Sequence, residues 1–316
     1  MIARFEHQIR RRYARTEASD LSAVGWGVLY PDLLRTVPGL GSFVGWIFGQ
    51  NVDRGWALEN QWVKNWKYHL WLKPPMMSDW TEDTRKGTRP AVIFNVTTSE
   101  TGERMVVAST GLPETKNDDP MWPTTALQFS KTYPNLDISV ATAARLSASF
   151  AWVSPMPRSA RKDDDKQHFA DGGYFDNSGL LSASDWLLAA RSSIDRKVLL
   201  VVIDATEGEH SKPGAWSWQR QLVGPVSTLN SVRSGSQKSR SDFEVPLVKA
   251  YLGSLVPEVG VTPYVFNYPK DRLAPLSWHL TPQQKLLVGE AWAHDPDVSE
   301  KRKEFYSALR CPANQQ

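Results

Sequence analysis

The hydrophobic positions of this chain change period several times, and those changes divide it into elements. Residues 4 to 20 (RFEHQIRRRYARTEASD) are polar and basic and read as a loose lead-in with some helical character. Residues 21 to 52 are apolar, punctuated by Gly and Pro. From Asp53 to Leu72, Leu58, Trp62, Trp66 and Leu70 recur every fourth residue, which is one face of a helix. Asp53 is placed to cap that helix, and Pro74-Pro75 ends it. The stripe is expected to face core. A charged loop (Thr81 to Arg89) separates it from the β-branched run Ala91 to Thr97, expected to be a buried strand. After a turn at Ser99 to Glu103, Met105 to Ala108 forms a second short strand, so the two make a hairpin at one edge of a sheet.

Residues 110 to 136 are rich in Pro, Asn and Asp and read as loop, and the small residues of 138 to 150 read as helix stopped by Pro155 and Pro157. The charged run Arg161 to Lys166 is a solvated loop. A helix is predicted from about Ser182 to Ser192, followed by the apolar Val198 to Ile203, which has the character of a central parallel strand. Residues 207 to 244 are polar and read as mobile loop. A strand at Thr262 to Asn267 and helices near Pro282 to Ala293 and Ser299 to Leu309 close the chain. The order of elements indicates an α/β layer fold, without internal repeats.

Composition narrows the function classes. Among 316 residues, 41% hydrophobic and 22% charged, the net charge is +3. Basic residues are interspersed with acidic ones, which argues against a nucleic-acid footprint. The single cysteine, Cys311, excludes a disulfide framework or a thiolate zinc site. The six histidines contain no H-E-x-x-H pair, and no P-loop or G-x-G-x-x-G occurs, so no metal and no cofactor is expected. The first residues lack the apolar core of a secretory signal. The uncharged stretch Thr36 to Val52 is broken by Pro38 and glycines and is short for a spanning helix. Fourteen tryptophans fit a Trp-rich core better than lipid contact, although Trp suits membrane interfaces. A cytoplasmic location is expected, with room for peripheral membrane contact.

The candidate chemistry lies in His168-Phe169-Ala170-Asp171-Gly172-Gly173-Tyr174-Phe175-Asp176-Asn177-Ser178-Gly179. An aspartate before two glycines sits where backbone can turn sharply, leaving its carboxylate room to point into a cleft and take a proton from a hydroxyl. A bare Asp-Gly-Gly is more simply a turn. Here it is preceded by Ala143-Ala144-Arg145-Leu146-Ser147-Ala148-Ser149-Phe150 and by Val153-Ser154-Pro155. Further motifs follow the same order: Asp53-Arg54-Gly55 with Ala57-Leu58-Glu59, Phe94-Asn95-Val96-Thr97 with Glu100-Thr101-Gly102, and Trp278-His279-Leu280-Thr281. Together, over roughly residues 20 to 295, they resemble the patatin-like phospholipase family.

The resemblance implies an α/β/α sandwich, with a mostly parallel sheet and an edge hairpin, incomplete at the N-terminus. By it, residues 1 to 20 are the lead-in, 21 to 310 a partial hydrolase domain and 311 to 316 a tail. It also implies hydrolysis of lipid acyl esters by a Ser-Asp dyad without a cofactor. Asp171 would be the base; Gly172, Gly173, Asp176 and Asn177 would support the motif. A lipid or other acyl ester would be the substrate.

The family's nucleophile, a serine in a G-x-S-x-G elbow, has no counterpart. Ser42 (Leu40-Gly41-Ser42) is out of register, and Ser109 (Val107-Ala108-Ser109-Thr110-Gly111) has glycine only after it. The glycine-rich oxyanion loop is also missing, and Ala151 stands where the family often has proline. The expected protein is therefore a fragment that carries the base but no identified nucleophile, inactive alone. The alternative is a degenerate lipid- or protein-binding module of the same fold. Asp204, at the end of the apolar strand, and His168 read as structural. The loss of N-terminal strands is expected to leave an exposed sheet edge.

Overall fold

The computed structural model describes residues 21–36, 53–70, 75–112, 126–149, 155–158, 167–204, 261–267 and 281–309, with scattered positions between 235 and 254. The chain is mixed α/β and divides into two compact units, Met1–Phe175 and Asp176–Gln316.

Among the described residues, helix α1 opens the first unit in three segments: α-helical Leu21–Gly27, a π-turn Val28–Asp32, and α-helical Leu33–Thr36. Pro31 explains the middle segment. It has no N–H to close the helical ladder and its ring crowds the preceding turn, and the wider π spacing absorbs both defects. Helix α1 lies against α2 (Arg54–Leu70) at Gly27, where an added Cβ would fall 2.3 Å from Cα of Arg54. Asp53 caps α2 as the sequence indicates, with Oδ1 accepting from the N–H of Trp56 at 2.7 Å. Leu58 of the apolar stripe is buried and Trp62 is half-buried, while the side chains of Trp66 and Leu70 lie outside the described residues.

Part of the expected charged loop is helix: α3 spans Met77–Arg85. Its charges lie at the surface, with Arg85 and Lys86 pairing to Glu82 at 2.7 and 3.3 Å, while Met77 is buried. Such i,i+3 and i,i+4 pairs make a polar segment compatible with helix. Two carboxylates fix its start, as Met76 donates its N–H to Asp79 at 3.0 Å and Ser78 donates Oγ–H to Asp137 at 2.6 Å.

The expected hairpin forms from β1 (Ile93–Thr98) and β2 (Arg104–Ala108), in register from Ile93↔Ala108 to Thr97↔Arg104. It is not at an edge. The short strand β3 (Leu127–Gln128) adds parallel to β2, and β4 (Phe169–Asp171) adds antiparallel to β1, giving the order β3-β2-β1-β4. Strand β3 and the following α4 (Phe129–Thr132) come from the stretch read as loop. A two-residue strand and a single helical turn are too short to show a period. Val96, Thr97 and Thr98 are consecutively buried, as are Arg104 to Val107, so these strands are covered on both faces. Helix α5 (Val140–Ser147), capped by Ser139 Oγ, contributes Ala143 and Leu146 to a core with Val96, Met105, Val107, Phe129, Tyr133 and Phe169.

In the second unit, α6 (Leu180–Ala190) precedes β5 (Val198–Asp204), which pairs in parallel with β6 (Val261–Asn267). Residues 242–250, within and beyond the polar tract, are helical. Thr281 and Gln284 form a reciprocal capping box on α7 (Pro282–His294), and Arg302 of α8 (Pro296–Leu309) donates to the carbonyls of Trp292 and Ala293 at its other end. Val298, Phe305 and Ala308 of α8 pack with Leu199, Tyr264 and Phe266.

The close approach at Gly27 gives a direct test. Gly27→Ala should destabilise the first unit by about 2 kcal/mol through overpacking against backbone. It should be seen as a lower urea midpoint and faster amide exchange in α1.

Candidate functional site

Asp171 is the last residue of β4, opposite Val96 of β1. Gly172 begins a 3-10 turn (Gly172–Tyr174), and the Asp171 carboxylate caps it: Oδ1 accepts from the N–H of Gly173 at 2.7 Å. The need for glycine at 172 is steric. An added Cβ would fall 2.0 Å from the carbonyl oxygen of Asn95 and 2.4 Å from its carbon, so the turn lies directly on the backbone of β1. Thr97 Oγ1 donates to the Asp171 carbonyl at 3.0 Å, and the Asp171 N–H donates to the carbonyl of Ser149 at 3.2 Å. Asp171 is therefore held through its N–H, its carbonyl and one carboxylate oxygen. The side chain itself is half-buried.

Several residues of the sequence motifs meet around this point in the first unit. Ser149 is buried, and its Oγ donates to the carbonyl of Arg145 at 2.6 Å, closing the end of α5 beneath β4. Arg145 in turn reaches α2, with Nε 3.1 Å from Glu59 and Nη1 3.9 Å from Asp53. Thr142 Oγ1 donates to the same Glu59 at 2.5 Å. Asp53 and Glu59 thus have a structural use, joining α2 to α5, while Arg54 pairs with Asp32 of α1 at 2.8 Å. Asn95, Thr97 and Ser149 belong to the sequence motifs without an assigned role there. Their contribution is backbone contact and short-range bonding, which carries no spacing signal.

Gly172 and Gly173 are buried, and both lie in the first unit, as Asp171 does. Asp176 and Asn177 belong to the second. There Asp176 is buried and its Oδ2 accepts from the N–H of Ser182 at 3.1 Å, within the first turn of α6, while Asn177 is exposed.

The structure does not bring Ser109 to Asp171. It is buried at the end of β2, its Oγ accepts from the N–H of Val92 at 3.0 Å, and Thr84 Oγ1 lies 3.2 Å away. Its ladder partner Val92 lies four residues before Val96, the partner of Asp171. Four residues of strand separate the two sites by about 13 Å along β1, far beyond hydrogen-bonding reach. Ser42 lies outside the described residues, as do Arg161 to Lys166 and Trp278 to Leu280.

His168 precedes β4 and is not alone. Its N–H donates to both oxygens of Glu100 at 3.1 and 3.0 Å, and its Nδ1 lies 2.7 Å from Glu100 Oε1. The hairpin turn returns a bond, Ser99 N–H to the His168 carbonyl at 2.8 Å. The side-chain hydrogen bond from His168 is the main cause that holds the Glu100 carboxyl below its ordinary range. The expected exposed edge is not found at β4. Phe169 N–H donates to the Pro157 carbonyl at 2.9 Å, and Asp171 N–H is taken by Ser149.

Among the described residues no three His, Cys, Asp or Glu side chains are grouped to hold a metal ion, and no helix is long and apolar enough to cross a membrane. No protein-family model matches the chain, and no curated protein was found to match its sequence.

Two outcomes follow. A lowered carboxyl pKa contributes stability that is present above the unfolded value and is lost as pH falls through the folded one. Stability should therefore fall on acidification below about pH 5, and less steeply in Glu100→Gln, when urea midpoints are compared across that window. Gly172→Ala should cost about 3 kcal/mol by the same measurement at neutral pH, because the clashing partner is backbone that cannot rotate away.

Proposed function

We propose that this chain is part of a lipid acyl hydrolase of the patatin-like type, a phospholipase or esterase working through a Ser-Asp dyad, with Asp171 as its base. The observation that carries the reading is the anchoring of Asp171. It leaves a sheet strand into a two-glycine turn, with Oδ1 oriented by the Gly173 N–H and its backbone bonded on both sides. A general base needs this fixed direction before its affinity for a proton matters. The α/β/α sandwich implied by the resemblance belongs to the same proposal.

In this reading the serine oxygen bonds to the ester carbonyl carbon while Asp171 accepts the serine's proton. Asp171 then passes that proton to the alcohol oxygen as its C–O bond breaks, leaving an acyl-serine. Ionised again, Asp171 deprotonates the water that attacks the acyl-serine, returning the proton to the serine as the acid departs. The chain supplies the base and its mounting; the serine and the backbone donors for the oxyanion come from a segment that it does not contain. Losing a nucleophile lowers turnover by about a millionfold. The isolated chain is then an inactive fragment.

A second reading is favoured by the same hydrogen bond. Because Oδ1 already caps the 3-10 turn, Asp171 has a structural use without any reaction, as a non-catalytic lipid- or protein-binding module would require.

Activity separates the two. The folded chain alone should not hydrolyse a chromogenic short-chain ester above background. Supplied with a polypeptide segment bearing the glycine-rich loop and a G-x-S-x-G elbow, encoded next to it, it should gain hydrolysis. Asp171→Asn, which keeps an acceptor for the Gly173 N–H, should then lower the rate by about a thousandfold or more. Restored turnover indifferent to Asp171→Asn would remove Asp171 as base. Turnover by the chain alone that Asp171→Ala abolishes would instead disprove the missing nucleophile.

A further inference from the structure

Among the described residues β4 is the outer strand of its sheet, and the short segment Pro155 to Arg158 runs beside it. Two contacts hold that segment along the strand. The Pro157 carbonyl accepts the N–H of Phe169 at 2.9 Å, and Arg158 bridges antiparallel to His168. A third contact comes from the hairpin turn. Ser99 donates its Oγ–H to the thioether sulfur of Met156 at 3.3 Å, and its N–H to the His168 carbonyl at 2.8 Å. One serine therefore ties the turn both to β4 and to the segment that covers it.

The sulfur is the reactive atom in this arrangement. Met156 is 55% exposed, whereas Met77 and Met105 are buried and Met76 is half-buried. A thioether sulfur carries two lone pairs, and the Ser99 hydroxyl engages one of them. With Met156 more than half exposed, the other is open to a small oxidant such as hydrogen peroxide. That lone pair bonds to one peroxide oxygen as the O–O bond breaks, and the proton on that oxygen goes to the departing hydroxide. The products are methionine sulfoxide and water: sulfur loses two electrons and the peroxide gains them. In the sulfoxide the sulfur is the positive end of a polar S–O bond. It no longer accepts from Ser99, and the tie between the turn and the covering segment is lost.

We propose that Met156 is a site of reversible oxidation by peroxide, and that its sulfoxide loosens the segment covering β4. The inference does not rest on a catalytic role for Asp171, whose N–H is held separately by the Ser149 carbonyl.

Peptide mass spectrometry and amide hydrogen exchange on the full chain, before and after dilute peroxide, test it. Met156 should gain one oxygen about tenfold faster than Met77 or Met105. Exchange at the Phe169 amide should then rise about fivefold, the effect of losing one weak hydrogen bond. Methionine sulfoxide reductases for both epimers, with a thiol reductant, should reverse the rise. In Ser99→Ala exchange at Phe169 should already be raised, and peroxide should add nothing. Met156→Leu keeps Cys311 and every other methionine, and should also show no response to peroxide. Circular dichroism checks that each variant is folded. A Met156 that resists peroxide in the folded chain overturns the proposal, as does a sulfoxide that leaves exchange at Phe169 unchanged. A peroxide response that persists in Met156→Leu overturns it too, since the sensitive group then lies elsewhere.

Discussion

The first unit depends on a single strand being hydrogen-bonded along both sides. Strand β1 pairs with β2 on one side and with β4 on the other, and its last three residues are buried. Its carbonyl at Asn95 is also the surface on which the Gly172 turn rests. A strand in this position has no freedom to slip, since a shift of one residue would reverse every side chain between faces and break two ladders. The position of Asp171 is inherited from that register, so the geometry of the candidate base is fixed far more by β1 than by the Asp-Gly-Gly turn itself.

A second layer of constraint comes from charge. Glu59 and Asp53 of α2 hold Arg145 near the end of α5, and the carbonyl at that end holds the buried Ser149 hydroxyl. Partly buried ion pairs contribute little net stability, because desolvation offsets most of the attraction. Their value here is directional. They set how α5 meets the strand, and so where the Ser149 carbonyl stands to receive the Asp171 N–H.

Long, strongly patterned elements were legible from sequence. Helix α2 with its Asp53 cap, the β1–β2 hairpin, the β5 strand and the two terminal helices follow from period and capping, which are local properties. The central position expected of β5 does not: among the described residues it pairs with β6 alone, and Ile203 is exposed. Helix α3 was missed because its polar surface is supported by ion pairs instead of an apolar stripe, and β3 with α4 because both are too short to show a period. The central placement of the hairpin was out of reach, since pairing with β4 joins residues more than seventy apart (Val96 with Asp171). At the site, the Asp-Gly-Gly motif was visible, but the reason for Gly172 was not, because the obstructing carbonyl belongs to another strand. The same holds for Ser109, whose neighbouring glycine suggested chemistry while its register carries it away from Asp171.

The covered edge of β4 has a consequence for the chain in a crowded cell. Open strands recruit other open strands, and a protein with an unpaired outer β-strand risks stacking copy upon copy into insoluble aggregates. At β4 the N–H groups that would template such stacking are already bound by the carbonyls of Pro157 and Ser149. The irregular segment beside the strand thus acts as a safeguard for solubility, and it protects the strand that bears the chain's most distinctive side chain.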